Sequence, residues 1–100
     1  YLEKLRAITK RHGILLIFDE VITAFGRLGA ATASERLNVI PDMITIAKGL
    51  TSGYIPMGGL IVSDKVFDVI KTAGDFNHGF TYSGHQGISK DAFIRQVNSK

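Results

Sequence analysis

Two residues of this 100-residue chain are spaced to do chemistry together: Asp19, which closes the apolar run ILLIFDE, and Lys48, which follows MITIA 29 residues later. A carboxylate at the tip of an apolar strand has two common uses. It places Mg²⁺ and water beside a nucleotide, as in a Walker B strand, or it faces the protonated ring nitrogen of a bound cofactor. A Walker reading needs GxxxxGK[ST] upstream, and the only Lys-Gly pair, Lys48-Gly49, has the wrong order and lies downstream. That weighs against a nucleotide hydrolase and leaves it as the less favoured alternative.

The elements that must position these two residues are readable from periodicity. Leu2, Leu5 and Ile8 recur at helical spacing among charged residues, and Arg11, His12 and Gly13 supply a basic end and a stop signal. Residues 14–18 are apolar without alternation, which predicts a parallel strand covered on both faces and ending at Asp19. Residues 20–29 read as a loop, residues 30–37 have weak helical character, and Pro41-Asp42 is a break. Residues 43–47 read as the next strand, 48–59 as a turn-rich segment and 60–62 as a short strand. Ser63 or Asp64 can then cap a helix running to about Ala73. This order argues an α/β architecture with a mainly parallel sheet flanked by helices, as part of a larger domain. In open α/β sheets ligands bind beyond the carboxyl ends of strands, where Asp19 and Lys48 both fall.

The bulk numbers agree with a globular domain: 45% hydrophobic, 21% charged, and a net charge of +3 with no basic block of the kind that marks a nucleic-acid footprint. There is no cysteine, so no disulfide or thiolate metal site is available. His78 and His85 do not have a recognised metal-ligand spacing, and no metal is expected. No apolar run is long enough to span a bilayer, so no membrane partner is expected. The chain opens at Tyr1 inside a helical pattern without an initiator Met. A cytoplasmic location is the expectation, with a targeting segment left open.

Three stretches then carry a resemblance: LLIFDEVITAFGRLG at 15–29, DMITIAKGLTSGYIPMGG at 42–59 and HGFTYSGH at 78–85. In type, order and distance they resemble the class III (ω-amino acid:pyruvate type) aminotransferases, which depend on pyridoxal 5′-phosphate. The resemblance covers residues 1–85 and implies a central fragment of the large domain of a fold-type I transferase. It makes Lys48 the residue that forms the Schiff base with the cofactor and carries the proton, and Asp19 the partner of the pyridine nitrogen. By the same resemblance Val21 packs on the cofactor ring. Thr81, with Phe80 beside it, offers a hydroxyl to the cofactor phosphate of the neighbouring subunit, which implies a homodimer. The implied partners are an amine donor and a keto acid acceptor such as pyruvate. Considered singly, each residue also has a plain structural use: Asp19 as a cap, Val21 as core, Thr81 as a turn hydroxyl.

After His85 the family pattern continues with Pro and a helix rich in small residues, whereas residues 86–100 read QGISKDAFIRQVNSK up to the C-terminal Lys100. That tail departs from the family and divides the chain at 85. Family chains are several times longer, and the resemblance places their main phosphate loop upstream of these residues. A rival expectation is therefore a truncated remnant without catalytic activity.

Overall fold

A computed structural model describes residues 1–73 and the backbone of a strand at 93–95. In chain order the elements are α1 (Leu2–Arg11), β1 (Ile17–Asp19), α2 (Ala33–Leu37), β2 (Met43–Ile46), a 3₁₀ turn (Lys48–Thr51), β3 (Gly59–Val62), α3 (Asp64–Thr72) and β4 (Phe93–Arg95). The strands form one sheet in the order β1-β2-β3-β4. β1 and β2 are parallel with Asp19 beside Thr45, β2 and β3 antiparallel, and β3 and β4 parallel. This is an α/β fragment with a mixed sheet. The boundary expected at residue 85 lies outside the described residues.

β3 turns back against β2 for a local reason. A parallel return needs a crossover that carries the chain back along the strand, usually a helix. Residues 48–58 instead spend their length on the 3₁₀ turn and on tight bends at Ser52 and Gly53, both with positive φ. The chain therefore re-enters from the end it left.

β1 is shorter than the apolar run that predicts it. The Ile14 amide donates to the Thr9 carbonyl at 2.8 Å and so closes α1, while the Leu16 amide donates to the Asp42 carboxylate at 2.7 Å where a ladder bond would stand. Ladder pairing begins only at Ile17.

Among the described residues, the cover expected on both faces of β1 is present on one. Leu16, Phe18, Ile44 and Ile46 join Ala24 and Val39 in a single buried cluster, with Leu2 and Leu5 of α1, Leu50 and Ile61 packed against it. Each large aliphatic side chain buried this way stabilises by about 1.5–3 kcal/mol. The opposite face carries Ile17, 51% exposed, and Asp19, because side chains alternate along a strand. α1 is amphipathic where it meets the core: Leu2, Leu5 and Arg6 are partly buried, whereas Glu3, Lys4, Lys10 and Arg11 are exposed. α3 is capped by Ser63, whose hydroxyl accepts from the Val66 amide at 3.5 Å. Among the described residues no helix is long and apolar enough to cross a membrane.

Candidate active site

Asp19 ends β1 on the open face, exposed and one strand away from Thr45. Its Oδ1 accepts from the Thr45 hydroxyl at 3.0 Å and from the Val21 amide at 3.2 Å. The second contact is an Asx turn, the usual way a carboxylate reverses the chain after a strand. Oδ2 makes no hydrogen bond among the described residues. One oxygen is thus fixed by two donors and the other is presented outward, an arrangement suited to accepting one more N–H.

Lys48 leaves β2 through an extended Ala47 (φ −161°, ψ −154°) and then takes φ +44° as it opens the 3₁₀ turn. A non-glycine residue in the left-handed region costs on the order of 1–3 kcal/mol and persists where its surroundings enforce it. Here the Leu50 amide donates to the Ala47 carbonyl at 3.0 Å, the Ser52 amide to the Gly49 carbonyl at 3.1 Å, and Leu50 packs on the core cluster. The Lys48 amine makes no hydrogen bond or ion pair among the described residues. Asp19 at the end of β1 and Lys48 just past the end of β2 thus stand at the carboxyl ends of two neighbouring parallel strands.

A cavity of about 520 Å³ opens beside Lys48, lined also by Val21, Ala24, Phe25, Arg27 and Gly49. Asp19 stands outside this lining, and Val21, whose amide is bonded to Asp19, belongs to it. The structure therefore brings Asp19, Val21 and Lys48 to one end of the sheet. Phe80 and Thr81 lie outside the described residues, as do His78 and His85. Among the described residues no group of three or more His, Cys, Asp or Glu side chains converges as a metal site.

The donor set fits pyridoxal phosphate at its ring end: a carboxylate with one open oxygen for a protonated nitrogen, an unpartnered amine for an aldehyde, and a branched apolar side chain in the cavity lining beside the lysine.

Two acids that the sequence reading left without a role hold this region in place. Glu20, only 1% exposed, accepts from the Ser34 amide at 3.3 Å, from the Thr23 hydroxyl at 3.1 Å and from the Ala33 amide, and so caps α2 from a distance. Asp42 accepts from both Arg6 guanidinium nitrogens, at 2.7 and 3.3 Å, and from the Leu16 amide at 2.7 Å. Burial alone raises the Asp42 pKa. The Arg6 and Leu16 hydrogen bonds and the charges of Arg6 and Lys65 outweigh it and hold the carboxyl below its ordinary value. Apart from Thr23, three residues from Glu20, the partners are 13 to 36 residues away, so little local signal marks these contacts.

The sequence profile of the class-III aminotransferases matches residues 1–88, and the chain belongs to that family. It is 53% identical over 89 residues to an omega-aminotransferase of Caulobacter vibrioides, covering 85% of this chain and 20% of that protein. It is 52% identical over 89 residues to the mitochondrial gamma-aminobutyrate transaminase 1 of Oryza sativa subsp. indica, with 85% and 17% covered. Among solved structures, the (S)-enantioselective omega-transaminase of Thermomicrobium roseum superposes with a TM-score of 0.77 at 50% identity, over 85% of this chain and 19% of that one. An amine transaminase from an uncultivated Pseudomonas species, solved in its PLP-bound form, gives 0.75 at 46% identity over 85% of this chain and 20% of that one. The chain thus spans about a fifth of the length of the curated relatives it matches.

Proposed function

We propose that this chain supplies the ring-binding acid and the covalent lysine of a pyridoxal-phosphate-dependent aminotransferase, one that moves an amino group from an amine or ω-amino acid to a keto acid such as pyruvate. The observation that carries the reading is the pair at the carboxyl ends of β1 and β2: an Asp19 carboxylate with one oxygen anchored and one open, beside an unpartnered Lys48 amine. The family membership and the relatives' names support the same chemistry. Bound pyridoxal phosphate supplies an aldehyde and an electron-withdrawing ring that takes up the electron pair left when the donor's Cα proton departs.

The chain's own residues account for the rest. Asp19 holds the proton on the ring nitrogen through a charge-assisted hydrogen bond, and Thr45 and Val21 keep its carboxylate from turning away. Val21 lays its branched side chain against the ring. Lys48 has a compact amine whose pKa falls on desolvation, so it can bond to carbon at one stage and carry a proton at the next, which an Arg guanidinium cannot do. In this reading Phe80 and Thr81 serve the cofactor phosphate in a partner copy of a homodimer, on the resemblance of HGFTYSGH.

In an active protein carrying this segment, Lys48→Ala removes the covalent amine and the proton carrier together. Transamination is expected to fall by roughly a thousand-fold or more. Near-normal turnover in the absence of added amine contradicts the assignment.

A further inference from the structure

We infer that Phe25 is a positioning residue for Lys48, its ring seated in the space left by the missing side chain of Gly49 and holding the lysine's backbone in its left-handed conformation. The inference rests on the reading of Lys48 as the covalent lysine. A Cβ added at Gly49 would stand 2.9 Å from Cδ2 of Phe25, 3.2 Å from its Cβ and 3.3 Å from its Cγ. The first separation is closer than real Cβ contacts come. Because the Phe25 Cβ is itself among the near atoms, rotating the ring does not relieve the approach.

The backbone on both sides of this contact is unusual in the same way. Phe25 has φ +62° and Lys48 φ +44°, the region that bulky L residues avoid. The loop carrying Phe25 is tied at several points: the Ala24 amide to the Glu20 carbonyl at 3.1 Å, the Phe25 amide to the Ala31 carbonyl at 2.8 Å and the Gly29 amide to the Gly26 carbonyl at 3.0 Å. Ala24 is buried in the core cluster. Glu20 in turn donates its amide to the Thr45 carbonyl at 2.9 Å. The ring, itself 49% exposed, therefore lies against Gly49 from a tied loop, so a return of Lys48 to negative φ would shift the Gly49 peptide relative to it. Phe25 and Lys48 also line one cavity.

A ring that merely fills space stabilises the fold and leaves the reactivity of a folded Lys48 unchanged. A positioning ring changes that reactivity. The test compares Phe25→Ala, Phe25→Leu, Gly49→Ala and the double variant Phe25→Ala/Gly49→Ala in an active protein carrying this segment. Two readouts are used: the rate at which Lys48 captures pyridoxal phosphate, trapped by borohydride and mapped by peptide, and the labelling of Lys48 by acetic anhydride in the cofactor-free protein. Melting temperature checks folding. Phe25→Ala is expected to slow capture about tenfold in folded protein, with matching change in anhydride labelling, and Phe25→Leu to restore most of it. Gly49→Ala is expected to lose both stability and capture. The double variant is expected to regain stability, since the added methyl now has space, while capture stays slow. Capture and labelling within about twofold of wild type in folded Phe25→Ala, or full recovery of capture in the double variant, overturns the inference. Absence of trapped cofactor on Lys48 of the wild type overturns the underlying reading, and the positioning role with it.

Discussion

The Asp42 carboxylate takes three donors at once, two from Arg6 and one from the Leu16 amide, and so ties α1 to the entry of β1. Its folded pKa lies below the ordinary 3.8, so its contribution is fully present above that value and is lost as pH falls through the folded pKa. Urea midpoints measured from pH 5 downward are expected to fall for the wild type below about pH 4, and to fall less for Asp42→Asn, which starts lower by about 1.5–3 kcal/mol. Equal acid sensitivity of the two proteins contradicts this. Asp19 differs because it is exposed and half-used: Asp19→Asn is expected to leave the melting temperature nearly unchanged and to slow Cα proton removal in an active protein carrying this segment by about 10²-fold or more, read by stopped-flow absorbance. The position of Asp19 and Lys48 at the carboxyl ends of two strands was legible in the sequence because each closes an apolar run. Asp42 read only as a helix breaker, and the partner that gives it meaning is 36 residues away.

At the scale of elements, α2 shows how a short helix is fixed by its ends. The Thr32 hydroxyl accepts from the Glu35 amide at 3.0 Å, and the Glu35 carboxylate reaches back to the Ala31 amide at 2.9 Å. This is close to a capping box, whose Thr-x-x-Glu signature stands in the sequence and firms up a helix that periodicity alone marks weakly. Asn38 closes it at φ +52°. Thr32→Ala is expected to cost about 1 kcal/mol, and Glu20→Ala about 1–3 kcal/mol because two buried amides lose their acceptor, both read from chemical denaturation. A Glu20→Ala cost no larger than a typical surface substitution contradicts the capping role. The antiparallel turn of β3 was not legible, since an apolar run gives a strand's existence and not its direction. Its direction follows from the 3₁₀ turn and left-handed bends that precede it.

At the scale of the whole molecule, the cover is uneven: among the described residues Val62 is fully buried on the sheet face where Ile17 of β1 is half exposed, and Ile14, Ile22, Ile40 and Val69 are each more than half exposed. The class of fold was legible from the alternation of helices and apolar runs. The uneven cover was not, because a continuous apolar strand looks the same whether or not a second layer is at hand. Expressed as these 100 residues, the chain is expected to self-associate at micromolar concentration, seen by light scattering, since β1 is an unpaired sheet edge among the described residues and carries a half-exposed Ile17. A monodisperse monomer contradicts this. If Lys48 is the amine that binds pyridoxal phosphate, borohydride trapping of the cofactor-loaded protein followed by peptide mapping shows it most directly. The label is expected on the peptide containing Lys48, ahead of Lys4, Lys10, Lys65, Lys71, Lys90 and Lys100, with a loss of that preference in Asp19→Asn. Label spread evenly over the lysines, or concentrated on another one, contradicts it.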